Sequence, residues 1–341
     1  MAGTGAISRA APDELTLRLQ DALADLPVPG ASLVLLRNGQ LAGSAHCGVL
    51  AAGQPAPVDA ETVFEAASMS KPVFAYLVLQ QVQRGRLDLD RPVVHYLPQE
   101  IFKPPQTWQR TITARMLLTH RSGLPNWRPE ADEATGSLRI TSAPGERFSY
   151  SGEGYFYLQR VLEQITGTPL QALAERELFK PLGMTRSSFF SLTPRARGHD
   201  VQGQPLPVSH YPEANAAYTL FCSAEDYARC LAELLNGDRS AAHSLNAPML
   251  QAMLAHETVA DDREPIARAG QASGTAVFWG LGWAINATAQ GDIAYHTGTN
   301  SSGFRCYCQF SPSRRSGLVM MCNGLAGKQL WQRLIAQIGD L

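Results

Sequence analysis

Hydrophobic residues recur along the chain with two spacings, one typical of helices and one typical of strands. Near the start, apolar positions on one helical face predict a first amphipathic helix, marked by Leu15, Leu19, Ala22, Leu23 and Leu26. The apolar run at 32–36 then predicts a strand, and the turn residues 37–40 predict a hairpin into a second strand that ends near Leu50. The chain therefore opens with a helix and a β-hairpin.

Residues 72–82 are apolar on nearly every side of the helix that their composition predicts. A helix that is apolar all round is buried, because no face of it is suited to water. Gly85 is a suitable terminator. The pattern predicts a central buried helix, with Ser68 and Lys71 at its N-terminal end.

Beyond this helix, the pattern is first helical and then strand-like. Helices are predicted at 116–118, 155–166, 170–179, 224–235 and near 249–254, and the stretch from Pro194 to Pro212 is predicted to be a loop. Short apolar runs separated by turn residues then predict strands at 280–285, 293–296, 304–310 and 317–322. A closing helix is marked by Leu330, Leu334 and Ile338.

Strands at both chain ends with helices between them predict an α/β fold of the α+β type. We expect one antiparallel sheet built from both chain ends, flanked by helices, with an inserted all-helical lobe. A single domain over 1–341 would then consist of an α/β lobe at about 12–85 and 270–341 and a helical lobe at about 86–269.

Composition and charge exclude several functional classes. The formal net charge is -1, with 45% hydrophobic and 17% charged residues, and no basic stripe suits a nucleic acid or an anionic membrane. No apolar run approaches the length that spans a membrane, and residues 1–11 lack the apolar core of a secretion signal. We expect a cytoplasmic protein, or a periplasmic or secreted one if a signal peptide has been removed.

The six cysteines show neither a Cys-x-x-Cys pair nor the spacing of a zinc site. Cys306 and Cys308 alternate in an apolar segment, so they are expected on one strand face as free, buried thiols. The cysteine spacing therefore predicts no zinc site. We also expect no other metal and no organic cofactor.

Lysine is rare in this chain, and one lysine stands three residues after a serine. There are four lysines against twenty-five arginines, and Lys71 follows Ser68 in Ser68-Met69-Ser70-Lys71. At the start of a helix this spacing places both side chains on one face. An amine can lose its proton when it is desolvated, whereas a guanidinium cannot. The pair therefore suits a nucleophilic serine activated by a lysine base.

Two further sites support this interpretation. Tyr150 lies in a Gly-rich turn before a predicted helix, where its phenol, ionised by a nearby ammonium, is a candidate base or proton shuttle. The run His296-Thr297-Gly298-Thr299 ends a predicted strand, where a glycine would let a substrate approach a backbone N–H.

These three motifs resemble those of the serine β-lactamase and penicillin-binding-protein-like hydrolases, particularly the class C β-lactamase and esterase branch. They match that family's Ser-x-x-Lys, Tyr-x-Asn and Lys-Thr-Gly in order and approximate spacing. The resemblance implies that Ser68 is acylated, that Lys71 and Tyr150 move its proton, and that Ser68 and Thr299 N–H groups form the oxyanion hole. It places substrate contacts at Gly152, His296, Thr297 and Gly298.

Two departures from the family pattern bear on the substrate. Gly152 stands at the position of the asparagine, and His296 at that of the second lysine. Because histidine is largely neutral at pH 7, both features that suit anionic, amide-bearing substrates are weakened. We therefore expect a carboxylesterase acting on short-chain or neutral esters. A D-amino-acid peptidase or amidase, a weak β-lactamase, and a catalytically silent penicillin-recognising or scaffold protein stay open, as does the oligomeric state.

Overall fold

The computed structural model describes residues 12–98, 102, 107–135, 137–261, 263–269 and 275–338. The leader at 1–11 lies outside these residues. The described helices are α1 (Pro12–Leu23), α2 (Ser70–Gln83), α3 (Ala114–Leu118), α4 (Glu130–Thr135), α5 (Gly152–Thr166), α6 (Leu170–Ala174), α7 (Ala224–Asn236), α8 (Ala247–Met253), α9 (Pro265–Ala269) and α10 (Gly327–Ile338). The described strands are β1 (Gly30–Arg37), β2 (Gln40–Gly48), β3 (Phe64–Ala67), β4 (Ser187–Ser188), β5 (Leu220–Cys222), β6 (Thr258–Val259), β7 (Val277–Trp279), β8 (Ala284–Thr288), β9 (Gly291–Thr299), β10 (Arg305–Ser311) and β11 (Ser316–Cys322).

The main sheet joins the two ends of the chain. Its eight strands run in the order β2-β1-β11-β10-β9-β8-β7-β6, and each neighbouring pair is antiparallel. Strand β1 pairs with its hairpin partner β2 on one side and with β11 on the other. This arrangement confirms the antiparallel sheet predicted from both termini.

The predicted strand at 280–285 is wrong in its first half. Gly282 has a φ of +96°, and the Gly280 N–H donates to the Trp283 carbonyl at 2.8 Å, so these residues form a turn. Strand β7 consequently ends at Trp279, and β8 begins at Ala284. The apolar side chains of this segment concealed the turn, which depends on a conformation that glycine adopts freely.

A second, small sheet has the strand order β3-β5-β4. Its strands contain only two to four residues, too few for an alternating pattern to show in the sequence. The segment between the two parts of the main sheet is mostly helical and supplies β4 and β5 to this small sheet. Strand β3 leads directly toward α2, so the small sheet fixes the approach to Ser68.

Helix α2 is buried along most of its length, as the sequence predicts. Twelve of its fourteen residues are buried, including Lys71, and its apolar side chains belong to the largest core cluster. The other main predicted helices are confirmed as α1, α3, α5, α7, α8 and α10, and the predicted helix at 170–179 is α6 followed by a π-helical turn.

The six cysteines are free and buried, which confirms the interpretation of their spacing. None of the described helices has both the length and the apolarity needed to cross a membrane. The lobe boundaries at 85–86 and 269–270 stay a prediction, and residues 270–274 lie outside the described part of the chain.

Candidate active site

Ser68 lies in the turn that connects β3 to α2. Ala67, just before it, has a φ of +50°, which is uncommon for a residue with a side chain and marks a local strain. Lys71 is the second residue of α2, and its Nζ donates to the Ser68 Oγ at 3.3 Å. The structure therefore brings together the serine and the lysine that the sequence singles out.

Lys71 is fully buried, and this burial changes its acidity. Its Nζ also donates to the Ala217 carbonyl at 2.9 Å, a neutral acceptor that fixes the amine without adding a charge. Desolvation lowers the pKa of Lys71 to about 7. Near neutral pH a large fraction of this amine is therefore unprotonated and able to accept a proton from the serine hydroxyl.

Tyr150 lies beside this pair, immediately before the helix α5. The Lys71 Nζ is 4.7 Å from the centroid of the Tyr150 ring. Burial raises the pKa of the Tyr150 phenol, and the Ser68 hydroxyl beside it lowers that pKa by less. The direction of this pKa shift is opposite to the one expected from a nearby ammonium, because burial disfavours the charged phenolate. Tyr150 is a protonated phenol that can pass a proton between Ser68 and its surroundings.

His120 holds the turn that carries Tyr150. Its carbonyl accepts the Ser149 N–H at 2.8 Å, and its Nδ1 accepts the Ser151 N–H at 3.0 Å, so both neighbours of Tyr150 are bound to one residue. The His120 ring centroid is 4.3 Å from that of Tyr150. Burial holds the pKa of His120 well below its usual range. His120 is therefore a neutral support for Tyr150.

The end of β9 approaches Ser68 because residue 298 has no side chain. A Cβ on Gly298 would lie 2.1 Å from the carbonyl oxygen of Ala66, in the strand before Ser68. The glycine was expected to admit a substrate, whereas the structure shows that it admits the backbone of β3. Thr297 and Thr299, on either side of Gly298, both face the cleft that contains Ser68.

His296, at the position of the family's second lysine, is fully buried. Its Nδ1–H donates to the Thr297 carbonyl at 2.8 Å, and its ring contacts Tyr150 and Trp279. Burial, with a smaller effect from Lys71, lowers the pKa of His296 to about 3. The imidazole is therefore neutral, as the sequence predicts, and it supplies no cation to a substrate.

The cleft over Ser68 has a volume of about 380 Å³ and includes residues that sequence reasoning missed. Glu264 accepts the Tyr150 N–H at 3.3 Å, and Asn126 accepts the Gly152 N–H through its carbonyl at 3.0 Å. Arg305 and Lys328 also line the cleft and bring positive charge to it. Lys328 could have been found by the rarity of lysine, whereas Arg305 had no distinguishing signal among twenty-five arginines.

A family model described as Beta-lactamase matches residues 17–340, which is nearly the whole chain. The chain belongs to the beta-lactamase family. Its sheet flanked by helices and its Ser68–Lys71 pair agree with a serine hydrolase of the β-lactamase and penicillin-binding-protein-like type.

Relatives of this beta-lactamase family member include an enzyme named as an esterase. Esterase EstB of Burkholderia gladioli is 32% identical over 216 residues, an alignment that covers 55% of this chain and 54% of that protein. The chain thus matches about half the length of this relative.

Two solved structures share the fold over nearly the whole chain. The structure described as the crystal structure of SurE has a TM-score of 0.78 and 27% identity, covering 96% of this chain and 75% of that one. A Beta-Lactamase/D-Alanine Carboxypeptidase from Pseudomonas syringae has a TM-score of 0.78 at 19% identity, covering 97% of this chain and all of that one. At that identity, the second likeness concerns the fold alone.

Proposed function

We propose that this chain is a carboxylesterase that cleaves short-chain or neutral esters through an acyl-enzyme on Ser68. The observation that carries the proposal is the buried Lys71 amine, 3.3 Å from the Ser68 Oγ, with its pKa lowered to about 7. An unprotonated amine at that distance is placed to activate a serine hydroxyl. The esterase relative supports an ester as the substrate.

The reaction follows from the groups around Ser68. Lys71 accepts the hydroxyl proton, directly or through Tyr150, as the Ser68 Oγ attacks the ester carbonyl. The Ser68 and Thr299 N–H groups stabilise the oxyanion. Collapse of the tetrahedral intermediate breaks the bond to the alcohol, which leaves with the proton from Lys71 or Tyr150. Water then attacks the acyl-enzyme with the same base, releasing the carboxylic acid and restoring the Ser68 hydroxyl.

Labelling with a fluorophosphonate tests whether Ser68 is the nucleophile. The wild-type protein should be labelled and Ser68→Ala should not. Ser301→Ala, at an exposed serine two residues after Thr299, is the matched control and should be labelled like the wild type. Absence of Ser68-dependent labelling would overturn the proposed hydrolase activity and favour the silent, penicillin-recognising or scaffold alternative.

A second candidate is a peptidase or amidase that acts on substrates with a free carboxylate, such as peptides ending in a D-amino acid. It is favoured by Arg305 and Lys328 on the cleft wall, since either cation could bind a carboxylate in place of the missing second lysine. Parallel assays with p-nitrophenyl esters, D-alanyl amides and nitrocefin separate the candidates. The esterase proposal expects the highest kcat/KM on acetate or butyrate esters, and faster turnover of the amides or of nitrocefin would contradict it.

A further inference from the structure

Gly152 has no side chain because the ring of Trp127 occupies the space beside it. A Cβ on Gly152 would lie 2.5 Å from Cη2 and 2.6 Å from Cζ3 of Trp127, both much closer than van der Waals contact. Gly152 is the first residue of α5, and its φ is not positive, so its own backbone would accept any residue. The constraint on residue 152 therefore comes chiefly from Trp127.

The ring of Trp127 lies against Gly152, two residues after Tyr150 of the candidate site. Its neighbour Asn126 lines the cleft with Ser68 and Tyr150. The ring packs edge-to-face on Tyr218, with centroids 5.2 Å apart, and Tyr218 follows Ala217, whose carbonyl holds the Lys71 amine. Trp127 therefore connects the turn of Tyr150 to the segment that anchors Lys71.

This aromatic surface faces water in the structure. Trp127 is 48% exposed, although a tryptophan ring gains much by being covered. Tyr218 is half-buried and packs in turn on Tyr211, with centroids 5.3 Å apart, which makes the surface continuous. The lining of the cleft includes Glu264, Arg305 and Lys328, whose side chains suit polar groups. The aromatic surface and the charged lining thus differ in the substrate chemistry that they can cover.

We propose that Trp127 is a specificity-determining residue, and that Trp127 and Tyr218 bind a flat apolar group, such as an aromatic ring, next to the scissile ester bond. This inference rests on the proposed esterase function and narrows its substrate class. Stacking of a substrate ring on Trp127 removes apolar surface of both partners from water.

The same arrangement selects against amides. A side chain at position 152 could carry a hydrogen-bonding group, but the Trp127 ring replaces it with an apolar surface. An amide bound there would lose its hydrogen bonds to water without gaining a partner, whereas an ester has no N–H to satisfy. The glycine and the tryptophan therefore act as a pair.

Two matched substrate pairs test the binding of a flat group. The first pair, p-nitrophenyl benzoate and p-nitrophenyl acetate, differs in the acyl group. The second pair, benzyl acetate and methyl acetate, differs in the alcohol. In each pair, we compare the kcat/KM of the aromatic substrate with that of the small one. Trp127→Ala should lower this ratio about tenfold in one of the two pairs, which is the effect expected from the loss of one aromatic contact. The pair affected identifies the side of the ester that the ring contacts.

Trp108→Ala is the matched control, because Trp108 is similarly exposed, at 44%, whereas Trp127 is the tryptophan that crowds the Cβ position of Gly152 and packs on Tyr218. It should leave both ratios unchanged. If Trp127→Ala also leaves both ratios unchanged while turnover still depends on Ser68, the inference is wrong and the esterase function stands. If no ester is turned over in a Ser68-dependent way, both proposals are overturned.

A compensation experiment tests the pairing of the glycine with the tryptophan. Gly152→Asn alone should lower the melting temperature and kcat/KM, because its Cβ meets the Trp127 ring. The double variant Trp127→Ala with Gly152→Asn should regain stability, since it removes the two shortest contacts of the added Cβ and leaves the Asn126 carbonyl at 2.9 Å. The double variant should also raise the amide-to-ester ratio of kcat/KM above that of Trp127→Ala. A stable Gly152→Asn variant with the wild-type aromatic preference would contradict the inference.

Discussion

Lys71 is a rare residue type in this chain and lies in an environment that is rare for lysine. In a chain with four lysines, this one is fully buried, and its Nζ contacts a serine hydroxyl and a backbone carbonyl. Burial of a charged amine without a counter-ion is costly, so the neutral form is favoured there. The residue type and its position together make proton transfer the best explanation for a lysine at this site.

Ester hydrolysis should depend on pH in a direction that follows from Lys71. The active form is the neutral amine, so kcat/KM should rise with pH and reach half of its plateau near pH 7, where the Lys71 pKa lies. A pH–rate profile from pH 5 to 9 measures this midpoint. A rate that is constant over this range, or that falls as pH rises through 7, would contradict Lys71 as the base.

Replacement of Lys71 by arginine separates charge from proton transfer. Lys71→Arg keeps the positive charge but cannot release a proton near neutral pH, so kcat should fall at least a hundredfold. Lys180→Arg, at an exposed lysine, is the control and should retain wild-type kcat. Circular dichroism would verify that both variants fold, and near-wild-type kcat in folded Lys71→Arg would refute the assignment.

His120 shows how a residue behind the candidate catalytic groups can matter. It has a φ of +57° and binds both neighbours of Tyr150. His120→Ala should lower kcat at least tenfold because it releases the turn, whereas His120→Asn should recover stability, since asparagine tolerates this conformation and its oxygen can accept the Ser151 N–H. Thermal unfolding and kcat measure the two effects, and wild-type kcat in the alanine variant would argue against a positioning role.

Among the secondary-structure elements, α2 and β9 deliver the groups of the candidate site to one place. Helix α2 carries Lys71 on a face that its neighbours bury, and the end of β9 reaches β3 because Gly298 lies against Ala66. Each element was predictable from its apolar pattern. The contact between β9 and β3 was not, since it joins segments more than 200 residues apart and depends on one missing side chain.

Gly298→Ala should separate β9 from β3 and displace the Thr299 N–H. Its Cβ would lie 2.1 Å from the Ala66 carbonyl, so one of the two backbones must move. We expect kcat to fall about a hundredfold, the cost of losing one oxyanion donor. Gly43→Ala, in β2, has its nearest contact at 3.6 Å and is the control. Unchanged kcat in Gly298→Ala would show that Thr299 is not an oxyanion donor.

Across the whole molecule, the buried carboxylate of Glu65 connects three parts of the chain. It lies in β3 and accepts hydrogen bonds from Ser209 and Tyr211 in one loop, and from Asn300 and Ser302 in the loop after β9. The Tyr211 contact is 2.9 Å and the Ser302 contact 2.7 Å. Glu65 therefore holds two loops against the strand that leads to Ser68.

Glu65→Gln should destabilise the fold although it preserves the shape of the side chain. An amide has one acceptor oxygen in place of two, so at least one half-buried group that now donates to Glu65 loses its carboxylate acceptor, at a cost of about 1–3 kcal/mol in the free energy of unfolding. Urea denaturation measures this change. Glu61→Gln, at an exposed carboxylate, is the control, and equal stability of the two variants would contradict the role of Glu65.

The sequence predicted more of the fold than of the residues that line the cleft. The hairpin, the buried helix and the last two strands were predicted closely, because their apolar patterns are long and regular. The turn at Gly280–Gly282 and the small sheet were not, since each depends on a few residues whose conformation is set by distant contacts. In the cleft, Glu264 and Arg305 have no local pattern that distinguishes them from other charged residues.

The amino-acid order was sufficient to identify the family motifs, the reactive candidates Ser68 and Lys71, and the neutral state of His296. These features depend on residue type and short spacing, which a linear chain already contains. The protonated state of Tyr150, the support from His120 and the occupation of the space beside Gly152 by Trp127 required the folded molecule. They depend on burial and on van der Waals contact between distant segments, and neither exists until the chain has packed.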